Sequence, residues 1–447
     1  MKLDEERATA LARRALRATR ADAAEAIVTS SRSALTRFAV NRIHQNVAEQ
    51  DTQLTVRAVL GSRQGVASTN RMDEDGIAAC AEAAVEAARH APETSDFQGL
   101  PGGAAYEPLV RDLDAALAFG THSRAEAARE IIEQSATRGL TAAGTVALNA
   151  FALAVGNTLG VMRSASSADV RATVLAMHGT GGSGWASWLG ADPSGFSARD
   201  LGAHAATTAE RSAGPVSLEP GIYSVVLAPE AVADLLDFMG YLGFGAKAYA
   251  EGGSFLVDRV GTKIVDERIS VTDDARSRHN LGLGFDFEGQ PRRRVSLIER
   301  GIAREPVTDS YYAAKLQLPN TGHALPAPNT YGPLPVNLEM APGDLSEQDM
   351  IASMGRGVYV TRFHYVNVED PMKLVLTGMT RDGTFLIENG EITQSLKNLR
   401  FTQNVLEALS HVGGIGADRT LVGPGQGAAT LVPALLLERW EFTGQTG

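Results

Sequence analysis

The densest group of ionisable side chains is Asp273-Asp274, followed by Arg276, Arg278, His279, Asp286 and Glu288. Adjacent carboxylates can bind a hard cation or share a proton. One reading is therefore a stand-alone hydrolase using Asp273, Asp274, His279, Asp286 and Glu288 around a divalent ion. The same residues also suit a structural role, since Asp-Asp after an extended run (Ile269 to Thr272) caps turns and pairs with arginines. The nine histidines, at 44, 90, 122, 178, 204, 279, 323, 364 and 411, include no two one helical turn apart, the spacing at which imidazoles converge on zinc. Neither glycine-rich loop, Gly179 to Gly184 or Gly423 to Gly427, ends in the Gly-Lys-Ser/Thr of a phosphate cradle. Gly181-Gly182-Ser183-Gly184-Trp185 lacks the last glycine of a nucleophile elbow. The single cysteine, Cys80, sits in an alanine-rich helical run and reads as a small buried hydrophobe.

The elements that must position these residues change character along the chain. Helical periodicity from Leu3 to Arg20 gives way to a strand at Ala24 to Ser31, then extended segments at Leu35 to Val47 and Leu54 to Leu60. A return strand to Ser68 precedes an alanine-rich helix, Ile77 to His90, that starts after acidic Asp73-Glu74-Asp75. Helices follow near Leu113 to Phe119 and Ala125 to Ser135, an extended run at Leu148 to Gly156, and a helix at Ala198 to Ala213. Beyond the Gly/Pro-punctuated segment Gly214 to Gly221, strands dominate: Tyr223 to Leu227, Lys263 to Val271, Gly357 to Arg362, Leu374 to Thr380 and Thr384 to Ile387. The expectation is an α+β chain of two domains: an N-terminal α/β domain over 1–216 and a C-terminal β-rich, barrel-like domain with peripheral helices over 217–447.

Composition narrows the function classes. The chain has 447 residues, 44% apolar and 21% charged, with a formal net charge of −11. That balance disfavours a nucleic-acid binder, which neutralises phosphates with clustered Lys and Arg. No stretch of uninterrupted apolar residues is long enough to span a bilayer, and the acidic N-terminus does not read as a signal sequence. A cytoplasmic protein is expected, with no membrane partner.

Several segments taken together carry a resemblance: Arg37 to Gln45 (RFAVNRIHQ), Ser254 to Asp258 (SFLVD), Val271 to Asp274 (VTDD), Phe285 to Gly289 (FDFEG), Thr321 to Ala324 (TGHA) and Leu386 to Ile392 (LIENGEI). In this order and spacing the chain resembles the TldD/PmbA family, also called modulators of DNA gyrase. The resemblance implies a paired assembly in which a zinc-bearing TldD-type subunit and a TldE-type subunit enclose a proteolytic chamber. Zinc-bearing members carry His-Glu-x-x-x-His on the helix after the first C-domain strand and a cysteine near the C-terminus. Here that helix, starting at Pro229, has no histidine, and Ile415 stands at the position of the cysteine. The resemblance therefore implies a TldE/PmbA-like subunit with no catalytic residue and no metal of its own, zinc residing in the partner. Its substrates would be unfolded peptides or peptide-like precursors, which commonly dock by adding a strand to a sheet edge. Asp273, Asp274, His323 and Ile415 lie in the loops expected to face the chamber. A homodimer in isolation, binding peptides or small molecules without a protease partner, is the alternative.

Overall fold

The computed structural model describes residues 4–445. The first sheet has six strands: β1 (Ala23–Ala39), β2 (Arg42–Leu60), β3 (Arg63–Thr69), β4 (Thr141–Asn157), β5 (Met162–Met177) and β6 (Ser183–Gly190). Their order is β3-β2-β1-β4-β5-β6, and every pairing is antiparallel. Helices α1 (Glu5–Ala18), α2 (Glu74–His90), α3 (Asp114–Ala118), α4 (Thr121–Ala136) and α5 (Ala198–Arg211) pack on this sheet. The Leu3 start expected for α1 lies outside the described residues. Asp4 caps α1 by accepting from the Arg7 amide at 2.8 Å, and Asp73 caps α2 through the Gly76 amide at 2.7 Å, satisfying N–H groups the helix itself cannot. The alanine face of α2 lies directly on β3. A Cβ at Gly65 would meet Ala88 N at 2.1 Å, so only glycine permits this approach.

Two expectations change here. The segments at Leu35 to Val47 and Leu54 to Leu60 belong to one long hairpin, turning at Val40 and Asn41 with φ of 51° and 57°. The turn lacks glycine and is held instead by the Asn41 side chain, which donates to Leu140 O at 2.8 Å and accepts from the Ala142 amide at 2.6 Å. The strand expected at Lys263 to Val271 reduces to one bridge, Lys263 to Ile302, because pairing begins only at Val271.

The second sheet contains β7 (Gly221–Leu227), β8 (Val271–Asp273), β9 (Val295–Glu299), β10 (Ile302–Ala303), β11 (Leu338–Met340), β12 (Arg356–Asp370), β13 (Val375–Glu388), β14 (Glu391–Ser395), β15 (Leu399–Asn404), β16 (Val412–Gly425) and β17 (Ala428–Gln445). Strands β7, β12, β13, β15 and β17 pair in succession, and β7 pairs again with β17. This closes a barrel, with β7 parallel to β12 and antiparallel to β17. Trp440 fills it, fully buried, stacked on Phe363 at 5.3 Å and edge-on to Phe401 at 5.2 Å. The segments expected as separate strands at Leu374 to Thr380 and Thr384 to Ile387 are one strand, β13, bent where Asp382 and Gly383 take positive φ. Helices α6 (Pro229–Leu242), α7 (Ala246–Ala250), α8 (Ser310–Leu316) and α9 (Glu347–Ala352) lie around it. Val232, Leu235, Leu236 and Met239 of α6 join the apolar core, as their helical spacing predicts.

The two sheets are tied by buried polar links. Arg57 of β2 lies 2.9 Å from Glu25 of β1 and 3.8 Å from Glu288 of the second region. Asp169 of β5 accepts from the Gln426 amide at 2.6 Å. Among the described residues no helix is long and apolar enough to cross a membrane.

Candidate functional site

Asp273, at the end of β8, is fully buried, as is His323. Their side chains meet at 2.9 Å, His323 Nε2 to Asp273 Oδ1. Asp273 Oδ2 accepts from the Asn337 amide at 2.8 Å, and Arg292 stands 3.7 Å away. Burial alone would raise the Asp273 carboxyl, but His323, Arg292 and the Asn337 amide outweigh it and leave the carboxyl at about 2. Burial, with the Arg292 charge, lowers His323. Its Nε2 meets Asp273, while Nδ1 faces the Thr321 hydroxyl at 3.0 Å.

Asp274 is part-exposed and caps a turn, accepting from the Arg276 and Ser277 amides at 3.0 and 3.1 Å, with Arg294 at 3.6 Å. Asp286 is buried and accepts from the amides of Glu288, Gln290 and Ala324. The exposed His279 receives a contact from Arg278. Ile415 is 6% exposed and joins the apolar core, its carbonyl accepting from the Leu345 amide. The structure therefore joins Asp273 with His323, leaves Asp274 on an adjoining turn and sets Ile415 elsewhere, on β16.

Another acidic helix face, on α6, reaches a groove between the two sheets through Glu230. Glu230, Asp234 and Asp237 follow at i, i+4 and i+7, which places them on one face of α6, opposite its apolar stripe. A cavity of about 390 Å³ opens beside Glu230, walled by Trp185 and Ser187 of β6, His204 of α5, Glu347 of α9, Tyr359 of β12 and Asp418 of β16. A second cavity of about 600 Å³ continues it, sharing His204, Glu347, Tyr359 and Thr361.

The wall is firmly built. Arg362 stands over the Trp185 ring at 4.4 Å and donates from Nε to Asp382 at 2.9 Å. Asp382 also accepts from Ser183 of β6 at 2.7 Å. Glu347 accepts from the Tyr359 hydroxyl at 2.9 Å, and Asp237 from the Thr430 hydroxyl.

Burial shifts the carboxyls of Glu230, Asp234, Asp237 and Glu347 upward. Asp234 is pushed to about 7 by burial and then by the Asp237 charge. Asp237, whose outer surface stays in solvent, is raised by its surroundings to about 6 against the Thr430 bond. Burial also raises Glu230 and Glu347. A carboxyl raised on folding contributes stability that is fully present below its ordinary value of 3.8 and lost as pH rises through about 7. Asp234→Asn is therefore expected to gain thermal stability over the parent as pH rises from 5 to 8, on the order of 1 kcal/mol. Calorimetry at both pH values checks this; a pH-independent difference would contradict it.

Residue types in the sequence already held this signal, since three acids at helical spacing on an otherwise apolar helix require a polar face. That Glu230 borders a cavity came only from the placement of β6, α9 and β16 around it.

The donors along α6 and β16 do not suit zinc. The α6 face offers carboxylates, one of them bound to Thr430, and Ile415 offers a buried hydrocarbon. Among the described residues no group of three or more His, Cys, Asp or Glu side chains could hold a metal ion.

Comparison with known proteins places this geometry. The family model described as PmbA/TldA metallopeptidase C-terminal domain matches residues 220–444, and PmbA/TldA metallopeptidase domain 1 matches residues 24–88. A metalloprotease of Methanothermobacter thermautotrophicus is 28% identical over 204 residues, 44% of this chain and 43% of that protein. A zinc metalloprotease TldD homolog of Saccharolobus solfataricus is 28% identical over 205 residues, 44% of each. The aligned segment thus spans less than half the length of either relative. The solved structure of TldE from Thermococcus kodakarensis superposes with a TM-score of 0.86, covering 97% of this chain and 99% of that one at 19% identity, a likeness of fold.

Proposed function

We propose that this chain, which belongs to the PmbA/TldA metallopeptidase family, is a non-catalytic, metal-free subunit of a TldD/TldE-type metalloprotease. In this reading it forms part of a chamber for unfolded peptides or peptide-like precursors, and zinc sits in a TldD-type partner.

The observation that carries the reading is the donor set of α6. Zinc hydrolysis needs an ion that lowers the pKa of its bound water and polarises the scissile carbonyl, held by ligands that converge on it. Here α6 offers Glu230, Asp234 and Asp237 but no histidine, while Ile415 packs into the core. The groove beside α6 nevertheless keeps the depth and polar lining of a site that receives a ligand.

Asp273 and His323 support a structural role in the same reading. Both are buried and bonded to each other, so neither is presented to a substrate. The test is peptidase activity: the chain alone is expected to be inert on an unfolded polypeptide, and its mixture with a zinc-bearing TldD-type chain to cleave it.

A further inference from the structure

We propose that the cavity walled by Glu230, Glu347, Tyr359, Asp418 and Trp185 receives an organic cation, the ammonium or guanidinium group of an extended peptide. This rests on the chamber reading and names the chemistry that the groove selects.

The carboxylates of this cavity come from separate elements, Glu230 from α6, Glu347 from α9 and Asp418 from β16. Ion pairs among the described residues include none formed by Glu230, Asp234, Asp237, Glu347 or Asp418. Besides its own backbone amide, Glu230 accepts a long 3.5 Å contact from the Ser187 hydroxyl, beyond the usual length of an O–H···O bond. Arg362, a nearby cation, is committed to Asp382 at 2.9 Å.

The chain itself shows how such a deficit is met. In the other cavity between the sheets, the buried Glu25 and neighbouring Glu288 both face Arg57. Around Glu230 and Glu347, His204 borders the same cavity and Arg211 the one that continues it, yet among the described residues neither forms an ion pair with these acids. Buried charges are tolerated when they are paired, so a cation entering from a ligand would complete the arrangement.

The walls favour an organic cation over a metal ion. No converging metal-ligand group occurs among the described residues. Tyr359 and the part of Trp185 not covered by Arg362 offer aromatic surface against which the hydrocarbon stem of lysine or arginine can lie while its charged head reaches the acids. A volume of about 390 Å³ accommodates such a side chain.

The test is calorimetric titration of the full chain with three uncharged-background decapeptides: acetylated with a central lysine, acetylated with norleucine there, and norleucine with a free N-terminus. The lysine peptide is expected to bind about tenfold tighter than its acetylated norleucine twin, the effect of a charge-assisted hydrogen bond. Tight binding of the free-amine norleucine peptide would identify the N-terminal ammonium as an accepted form of the same cation. In the Glu230→Gln, Glu347→Gln double variant the preference should fall to within about twofold.

Equal affinity of the unmodified chain for the two acetylated peptides overturns the pocket while leaving the chamber reading intact, and needs no variant to fold. A preference that survives the double substitution also overturns it. Binding of none of the peptides also overturns the pocket, and the chamber reading is then judged by cleavage in the mixture alone. A lysine preference without cleavage in the zinc-bearing mixture sinks the chamber reading alone.

Discussion

Trp440→Ala is expected to cost about 3–5 kcal/mol of stability, the range for removing a large aromatic from a packed core. Trp440 is fully buried and touches Phe363 and Phe401 on two sides. These aromatics come from β17, β12 and β15, so the void would open at the centre of the ring of strands and loosen the barrel that carries α6. Trp440→Phe is the control. The indole Nε1 has no hydrogen-bond partner among the described residues, so phenylalanine removes an unsatisfied donor along with part of the volume. Its cost should be less than half that of alanine. Urea unfolding followed by tryptophan-independent circular dichroism measures both, and equal losses for the two variants would contradict this packing account.

Asp273→Ala is expected to cost a similar amount, about 3–5 kcal/mol, because it leaves the Arg292 charge and the His323 imidazole buried without their partner. Asp274→Ala, next along the chain, loses only a turn cap and an exposed ion pair and should cost about 1 kcal/mol. The pH dependence has a definite sign. Asp273 is held at about 2, below its ordinary 3.8, so its contribution is present above 3.8 and lost as pH falls through about 2. The gap between parent and Asp273→Ala should therefore persist from pH 7 to pH 4 and narrow below that. Denaturant midpoints across this range provide the check. If Asp273→Ala left stability untouched while altering a hydrolytic activity of the isolated chain, the carboxylate would be a working site instead of a structural one.

Local order was readable from residue types wherever a helix carried its own punctuation. Pro229 opens α6, Asp73 caps α2, and the apolar spacing of Val232, Leu235, Leu236 and Met239 identified the face that packs. The long β1–β2 hairpin was harder to read because its turn lacks glycine and proline. Val40 and Asn41 reverse the chain through side-chain bonds to Leu140 and Ala142, partners about a hundred residues away. A β-rich second domain was expected from the density of strands, but the closure of its barrel depends on β7 pairing with β17, a contact between the two ends of the second region that leaves no local pattern.

The candidate site shows the same division. The resemblance drew notice to Asp273, Asp274, His323 and Ile415, and the apolar stripe of α6 identified what that helix buries. On the opposite face, Glu230 gained significance only when β6, α9 and β16 closed a cavity beside it. Asp273 and His323 were noted separately in sequence, yet fifty residues apart they form one buried pair. Chemistry-bearing residues are thus visible in a sequence, whereas their assignment to an internal bond or to a cavity is decided by long-range packing.

The fold and the donor set point in complementary directions. The chain retains the architecture of a metallopeptidase family, while the helix on which the resemblance places the zinc motif carries carboxylates and apolar residues. A subunit that shapes the chamber and leaves hydrolysis to its partner reconciles the two.

The most direct measurement is zinc content together with cleavage of an unfolded polypeptide, for the purified chain alone and after mixing with a zinc-bearing TldD-type chain from the same source. The account predicts no stoichiometric zinc and no cleavage for the chain alone, with zinc-dependent cleavage by the mixture. Stoichiometric metal and cleavage by the chain alone would contradict it.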